Sequence, residues 1–408
     1  MKYLTTLLLI LILILSQSCK KDSLETNTGT LNFSTDTITF DTIFATIGSI
    51  TKTLTVYNNN NFDIETNIQL KGYSKAYFRM NVDGSPGNNH NNVKINANDS
   101  IFIFLEVTIN PSDNNTPYIL ADSIIFTTGS KQQNIKLIAW GQDAYFHTAD
   151  TSAQIIDGND TLTFYYHHLD CSQAWNPDKP HVIYGYAIID PEDVLTINAG
   201  TNIYFHKNSG IIVGNPFSNN PGGTIKIYGE IENEVTFQGD RLDSWYKELP
   251  GQWDRIWITP GSINNEIHYA IIKNGNIGIH VDTIGNNNPT LTINNTIIKN
   301  MSSIGILGQG TNISGNNLLI SNCGQHTLAC NIGGTYNFTH CTFVNYWNYG
   351  GRNRTTPSVL INNYYEAANG NIYARDLHDL TLTNCIIYGN LSTEISFQSN
   401  ESADFNYN

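Results

Sequence analysis

Charge is the first thing this chain has little of. Asp, Glu, Lys and Arg make up only 14% of its 408 residues, and 21 Lys and Arg face 35 Asp and Glu. The net charge of −14 excludes a nucleic-acid partner and argues against unassisted binding of polyanions such as pectate. Amphipathic helices are missing too: apolar spacing runs at two, or in blocks of three or four, rather than 3.6. Cysteine is too scarce for a disulfide framework. With Cys19 set aside, five remain (Cys171, Cys323, Cys330, Cys341 and Cys385), an odd number that leaves at least one free thiol or a dimer. Only one unbroken apolar run stands out, the nine residues from Leu7 to Leu15. It spans about half a bilayer core and reads as a secretion signal rather than a transmembrane anchor.

What the chain has in excess is turn residues, 55 Asn and 32 Gly. They punctuate a phrase written five times: Tyr269-Ala-Ile-Ile-Lys-Asn274, Asn295-Thr-Ile-Ile-Lys-Asn300, Asn317-Leu-Leu-Ile-Ser-Asn322, Cys341-Thr-Phe-Val-Asn-Tyr346 and Cys385-Ile-Ile-Tyr-Gly-Asn390. Their starts are 26, 22, 24 and 44 residues apart, the last interval reading as two periods of 22. A short strand recurring at that spacing is the mark of stacked coils, each too small to bury its own apolar face. Stacking at about 4.8 Å would align side chains in ladders. Ile271, Ile297, Leu319, Phe343 and Ile387 are expected to form one, and Ala270, Thr296, Leu318, Thr342 and Ile386 its alternate neighbour. Asn274, Asn300, Asn322 and Asn390 are expected to form a polar ladder at the corner, where Asn tolerates left-handed backbone and its amide bonds its neighbours. Cys341 and Cys385 would stand two coils apart, about 10 Å, too far for a bond. Cys323 and Cys330 are candidates to pair across a turn.

The segment Leu15-Ser16-Gln17-Ser18-Cys19 resembles a bacterial lipobox, with Leu15 one place further upstream than usual. The resemblance implies cleavage before Cys19 and lipid on that residue. Lys20, where an Asp would resemble an inner-membrane retention signal, leaves the outer membrane as destination. Cys19-Lys20-Lys21-Asp22-Ser23 resembles the start of many Bacteroidetes lipoproteins. The triplets Asp36-Thr-Ile, Asp41-Thr-Ile, Asp99-Ser-Ile, Asp122-Ser-Ile, Asp160-Thr-Leu and Asp282-Thr-Ile are similar to the O-glycosylation site of that group.

The expected order is a signal peptide (1–18), a lipid-anchored linker (19–30), a β-sandwich (31–145), a connector with solenoid cap (146–180) and a solenoid (181–408). Thr53-Leu-Thr-Val-Tyr-Asn58, Val107-Thr-Ile-Asn-Pro111 and Ile138-Ala-Trp-Gly-Gln-Asp143 resemble the immunoglobulin-like abnormal-spindle family, whose members serve as spacers or docking modules. The alternation in Ile101–Ile109 agrees with a sandwich strand. His167, His168, Asp170 and Cys171 in the connector invite a zinc reading, but adjacent residues seldom ligate one ion tetrahedrally, and no metal or cofactor is expected. Val194–Phe205, Gly210–Gly214, Gly223–Gly229 and Val235–Asp240 resemble the opening coils of Bacteroidetes right-handed parallel β-helix proteins; handedness comes from that resemblance alone. The fold class is therefore all-β, an immunoglobulin-like sandwich followed by a right-handed parallel β-helix. The chain ends without an evident polar cap and reads as truncated there.

That family includes polysaccharide lyases and glycoside hydrolases, yet the polygalacturonase-like Asp-Asp, Gly-His-Gly and Arg-x-Lys motifs are absent from the sequence. Weak candidates for acid–base work are Asp240, Asp243, Asp254, Arg255, Asp376 and Asp379, each of which also reads as part of a loop-tip salt pair. Two long excursions interrupt the coils, 240–263 and 346–374, and loops leaving a rigid scaffold are where function is usually placed. Trp245, Tyr246, Trp347, Tyr349, Arg352 and Arg354 on them are the expected ligand-binding residues, with rings and guanidinium groups suited to sugar faces and hydroxyls. Trp253 and Trp257 read equally well as packing. The expected role is a scaffold for a glycan or surface protein, attached to the membrane through Cys19. The rivals are a carbohydrate-active enzyme with unfamiliar catalytic residues, and a structural rod.

Overall fold

The computed structural model describes residues 29–44, 48–72, 77–109, 118–157, 160–216, 222–282, 289–367 and 369–408. Cys19 and the apolar run before it lie outside them, as does the side chain of Arg352. The described residues are all-β and carry no helix. The chain divides into two compact units, Met1–Asp143 and Ala144–Asn408.

The first unit holds two five-stranded sheets, antiparallel apart from one parallel pair, Lys131–Gln142 with Thr37–Phe44. Period-two patterning sets their inner faces: along Asp99–Val107, Ile101, Ile103, Leu105 and Val107 are buried while Phe102 and Phe104 point out. Full burial of each such side chain contributes about 1.5–3 kcal/mol. Asn58 pins a strand end from inside, its Nδ2 donating to the carbonyls of Phe62 (2.9 Å) and Ile95 (3.0 Å).

The second unit contains one nine-stranded parallel sheet and one fifteen-stranded sheet. The chain visits them in a fixed cycle of three columns. A first-column strand such as His181–Tyr184 or Asn202–Phe205 is followed by a second-column strand (Tyr186–Ile189, Gly210–Val213), then by a third (Val194–Asn198, Thr224–Tyr228), and each pairs in parallel with its counterpart one cycle later. Two strands, Ile304–Asn316 and Leu328–Thr339, run through the second and third columns without a break. Left-handed backbone makes their bends, at Gly310 (φ 58°) in one and at Ile332 (61°) and Gly333 (69°) in the other. The interior is one continuous apolar column from Ile183 to Leu380, into which Trp253 inserts against Phe205 at 4.2 Å.

The pairing corrects the expected ladders. Ile271, Ile297, Leu319, Thr342 and Ile386 are in register and face outward. The buried ladder is Ile272, Ile298, Ile320 and Phe343, continued by the partly buried Ile387. The two cysteine-led phrases are offset by one residue, which their similar lettering conceals. Left-handed backbone marks the true phase: Tyr269, Asn295, Asn317, His340 and Asn384 have φ of 49, 51, 53, 56 and 52°. Cys341 and Cys385 therefore take the place of Thr296 and Leu318. At the far end of these strands, Asn274, Asn300 and Asn322 also carry positive φ and are followed by Asn345 and Gly389, not by Asn390.

A second correction concerns the 44-residue interval. The strands Thr342–Asn345 and Ile386–Gly389 are direct neighbours, so this interval is a single coil. Its extra length holds two hairpins, Asn348–Tyr349 with Arg352–Asn353 and Tyr364–Glu366 with Ile372–Ala374. Cys341 and Cys385 thus stand in adjacent coils. Cys323 and Cys330 are buried free thiols. The last residues run beside the third column, with Leu377 N donating to Asp404 O at 2.9 Å and Asn408 N to Leu380 O at 2.8 Å.

Candidate ligand-binding site

The turn from each first-column strand to the next second-column strand stacks into one corner along the second unit. Two pockets open on it. The wider, about 640 Å³, includes Phe164, Tyr184, Tyr186, Lys207, Asp254 and Arg255 in its lining. The narrower, about 170 Å³, is lined by Glu248, Pro250, Asn300, Asn322 and the segment Tyr346–Tyr349.

In the wider pocket the backbone turns at Gly185 (φ 82°), which sends Tyr184 and Tyr186 to either side. Tyr186 stacks on Phe164 at 4.2 Å and donates its hydroxyl to Asp254 Oδ2 at 2.7 Å. Arg255 clamps the same carboxylate, Nε to Oδ2 at 2.9 Å and Nη2 to Oδ1 at 3.2 Å. Its Nη1 faces His280 Nδ1 at 3.4 Å, and His280 Nε2 lies 2.5 Å from Gln309 Oε1. A guanidinium only donates, so His280 Nδ1 accepts and Nε2 carries the proton. Burial, against the Gln309 hydrogen bond, pulls this imidazole down to about 4. Burial first, then Asp254, pushes the Tyr186 phenol up; Tyr184 is pushed up by burial and Asp240. Asp254 is thus the single carboxylate among the described lining residues, already held by a cation and a phenol.

The narrower pocket is where the two excursions meet. Glu248 and Pro250 come from the first, Tyr346, Trp347, Asn348 and Tyr349 from the second, and Asn300 and Asn322 from the corner between them. The corner amides anchor the first excursion: Asn274 Nδ2 donates to Lys247 O at 3.0 Å, and Asn300 Nδ2 donates to the Glu248 carboxylate, which also takes Lys299 Nζ at 3.2 Å. The Trp347 and Tyr349 rings are tilted 51° to each other with centroids 6.0 Å apart. Three aromatic residues, three amides and one carboxylate therefore surround a space that offers ring faces beside hydrogen-bonding groups.

The remaining candidates fall elsewhere. Asp240 is paired with His206 Nδ1 at 2.7 Å. The Asp243 carbonyl accepts from Tyr246 N at 2.8 Å, and Arg241 lies 4.1 Å over the Tyr246 ring. Trp245 is 77% exposed and lines neither pocket. Arg354 is turned inward, 3% exposed, bonding Glu394 at 2.8 Å and Asn345 O at 2.8 Å. Asp376 accepts from Asp404 N, 28 positions further on, at 2.9 Å, and Asp379 accepts from Thr381 Oγ1 of its own strand at 3.0 Å. Trp257 stacks with His280 at 5.7 Å, and Trp253 is core. In the connector, His167 is buried while His168 pairs with Asp190 at 2.7 Å, and no cluster of metal-ligating side chains exists among the described residues.

Sequence reasoning passed over Tyr184, Tyr186, Lys207, Glu248 and the amides of Asn300 and Asn322 as ligand groups. The signal that reaches them is the corner position itself, since each lies at the end of a first-column strand, just after one, or against a residue that does.

No protein-family model and no curated protein matches the chain. Among solved structures, a GH87 alpha-1,3-glucanase catalytic unit from Streptomyces thermodiastaticus is similar at 10% identity and a TM-score of 0.27, over 82% of this chain and 76% of that one. A second GH87 catalytic domain, in complex with tetrasaccharides, is similar at 12% identity and a TM-score of 0.21, over 87% and 79%. A family 123 glycoside hydrolase from Clostridium perfringens matches at 14% identity and a TM-score of 0.21, and there the chain spans only 23% of the relative. At these scores the likeness carries no weight for function.

Proposed function

We propose that the chain is a cell-envelope lipoprotein, lipidated at Cys19 and held at the outer membrane, whose immunoglobulin-like sandwich and right-handed parallel β-helix present a glycan-binding corner. The observation that supports binding most is the convergence of both excursions on the narrow pocket of Trp347, Tyr349, Asn300, Asn322 and Glu248. Rings that bury apolar sugar faces, beside amides that exchange hydrogen bonds with hydroxyls, are the usual composition of a polar-ligand pocket. Each pocket has one carboxylate among its described lining residues, whereas glycoside hydrolysis by the common route takes two. That difference favours binding over turnover.

A second reading, a carbohydrate-active enzyme, draws on the wider pocket, where Tyr186 and Arg255 converge on Asp254. A glycan-array screen of the chain, with reducing-end and unsaturated-product assays on each hit, separates the readings. Binding lost in Trp347→Ala without new products supports the proposal. New products that vanish in Asp254→Asn overturn it in favour of the enzyme. Silence on both leaves a structural rod.

A further inference from the structure

Cys341 and Cys385 occupy the same position in successive coils, each immediately before a first-column strand. The register that follows them, Thr342 opposite Ile386 and Phe343 opposite Ile387, fixes the two residues side by side, and Ile386 N donates to Cys341 O at 2.8 Å. Neighbouring parallel strands lie about 4.8 Å apart, inside the Cα range of about 4.4–6.8 Å that a disulfide spans. The side chains point the same way. Cys341 Sγ lies 3.3 Å from Thr339 O and Cys385 Sγ lies 3.5 Å from Thr383 O, and both are free thiols in the structure. Cys341 is buried and Cys385 is half-buried at the edge of the same apolar column.

We infer that Cys341 and Cys385 form a cross-coil disulfide that staples the last first-column strand to its neighbour and closes the base of the excursion bearing Trp347 and Tyr349. Ile386–Gly389 is an end strand of its sheet and, among the described residues, has a partner on one side only. The bond would close a loop of 44 positions that contains both hairpins. A disulfide donor of the glutathione class supplies the oxidant. The more accessible Cys385 thiolate attacks one sulfur of oxidised glutathione and releases one glutathione thiol. Cys341, giving up its proton, then attacks the mixed disulfide and releases the second. Two electrons pass to the donor, and one S–S bond replaces two S–H bonds.

The test is to equilibrate the folded full chain with oxidised glutathione, block remaining thiols with N-ethylmaleimide, and map tryptic peptides by mass with and without reductant. The expected result is a reductant-sensitive linked pair containing Cys341 and Cys385, and a melting midpoint several degrees above that of the reduced chain. Cys385→Ser, changed at the half-buried position, should fold, melt like the reduced chain and show no response to glutathione. A linkage between any other cysteines, a stable glutathione adduct on Cys385, or maleimide on both Cys341 and Cys385 after equilibration would each overturn the inference.

Discussion

His147 Nε2 and His181 Nδ1 lie 2.9 Å apart with their ring planes only 10° from parallel. Stacked rings cannot approach so closely, so the imidazoles meet edge to edge in nearly one plane, and the Trp175 indole covers both at 4.7 and 4.0 Å. This aromatic layer lies over the first coils of the apolar column. Burial first, then the neighbouring His181 and His167, drags His147 down to about 3; burial, partly opposed by Asp178, drags His181 down to about 4.

Both values lie below the ordinary 6.5 of the unfolded chain, so the unfolded state binds more protons between those limits. The stability contributed by the neutral pair is complete above pH 6.5 and is lost as pH falls towards 4. The melting midpoint of the second unit should therefore drop across that window, and His181→Gln, which cannot titrate, should flatten the slope. A midpoint that is flat from pH 7 to pH 4.5 would contradict this.

Arg354 is turned into the packed interior. Its side chain is fully buried and its partner Glu394 nearly so. Truncation strands a carboxylate, and Arg354→Ala should cost about 3–5 kcal/mol by denaturant titration. A loss below 1 kcal/mol would show that Glu394 finds water instead.

Close coil stacking at Gly278 sets another expectation. A Cβ there would sit 2.6 Å from Gly305 O and 2.7 Å from Ile298 Cγ2. Gly278→Ala should destabilise the second unit by about 1–3 kcal/mol, since neither the backbone carbonyl nor the packed methyl has room to move. Gly350→Ala is the control in solvent: open space surrounds that position, though φ of 61° makes a smaller backbone cost expected.

Tyr186→Phe removes one donor from Asp254 and leaves Arg255 in place. The expected loss is about 1–3 kcal/mol if the carboxylate stays dry. Ligand affinity should fall only if the wide pocket takes part in binding, which makes this variant a check on the second reading as well.

The all-β, recurrent-strand character was legible because its cause is local: β-branched inward residues and left-handed Asn corners recur every 22 to 26 positions across the three most regular phrases, 269–322. The phase of the last two phrases was not. Cys341 mimics Asn317 as the first letter of its phrase, whereas the backbone places its left-handed turn at His340. Nor does spacing separate one coil with two hairpins from two plain coils. The rings Trp347 and Tyr349 could be picked out as loop aromatics, but their partner Glu248 could not, because it lies about a hundred positions earlier and meets them only through the Asn300 corner.

The most direct test of the binding corner is a titration of the native chain and of Trp347→Ala with an oligosaccharide identified on the array, at matched melting midpoints. An affinity loss of at least about tenfold in the variant, with the fold intact, is the predicted result. Unchanged affinity would place the ligand elsewhere and contradict the account.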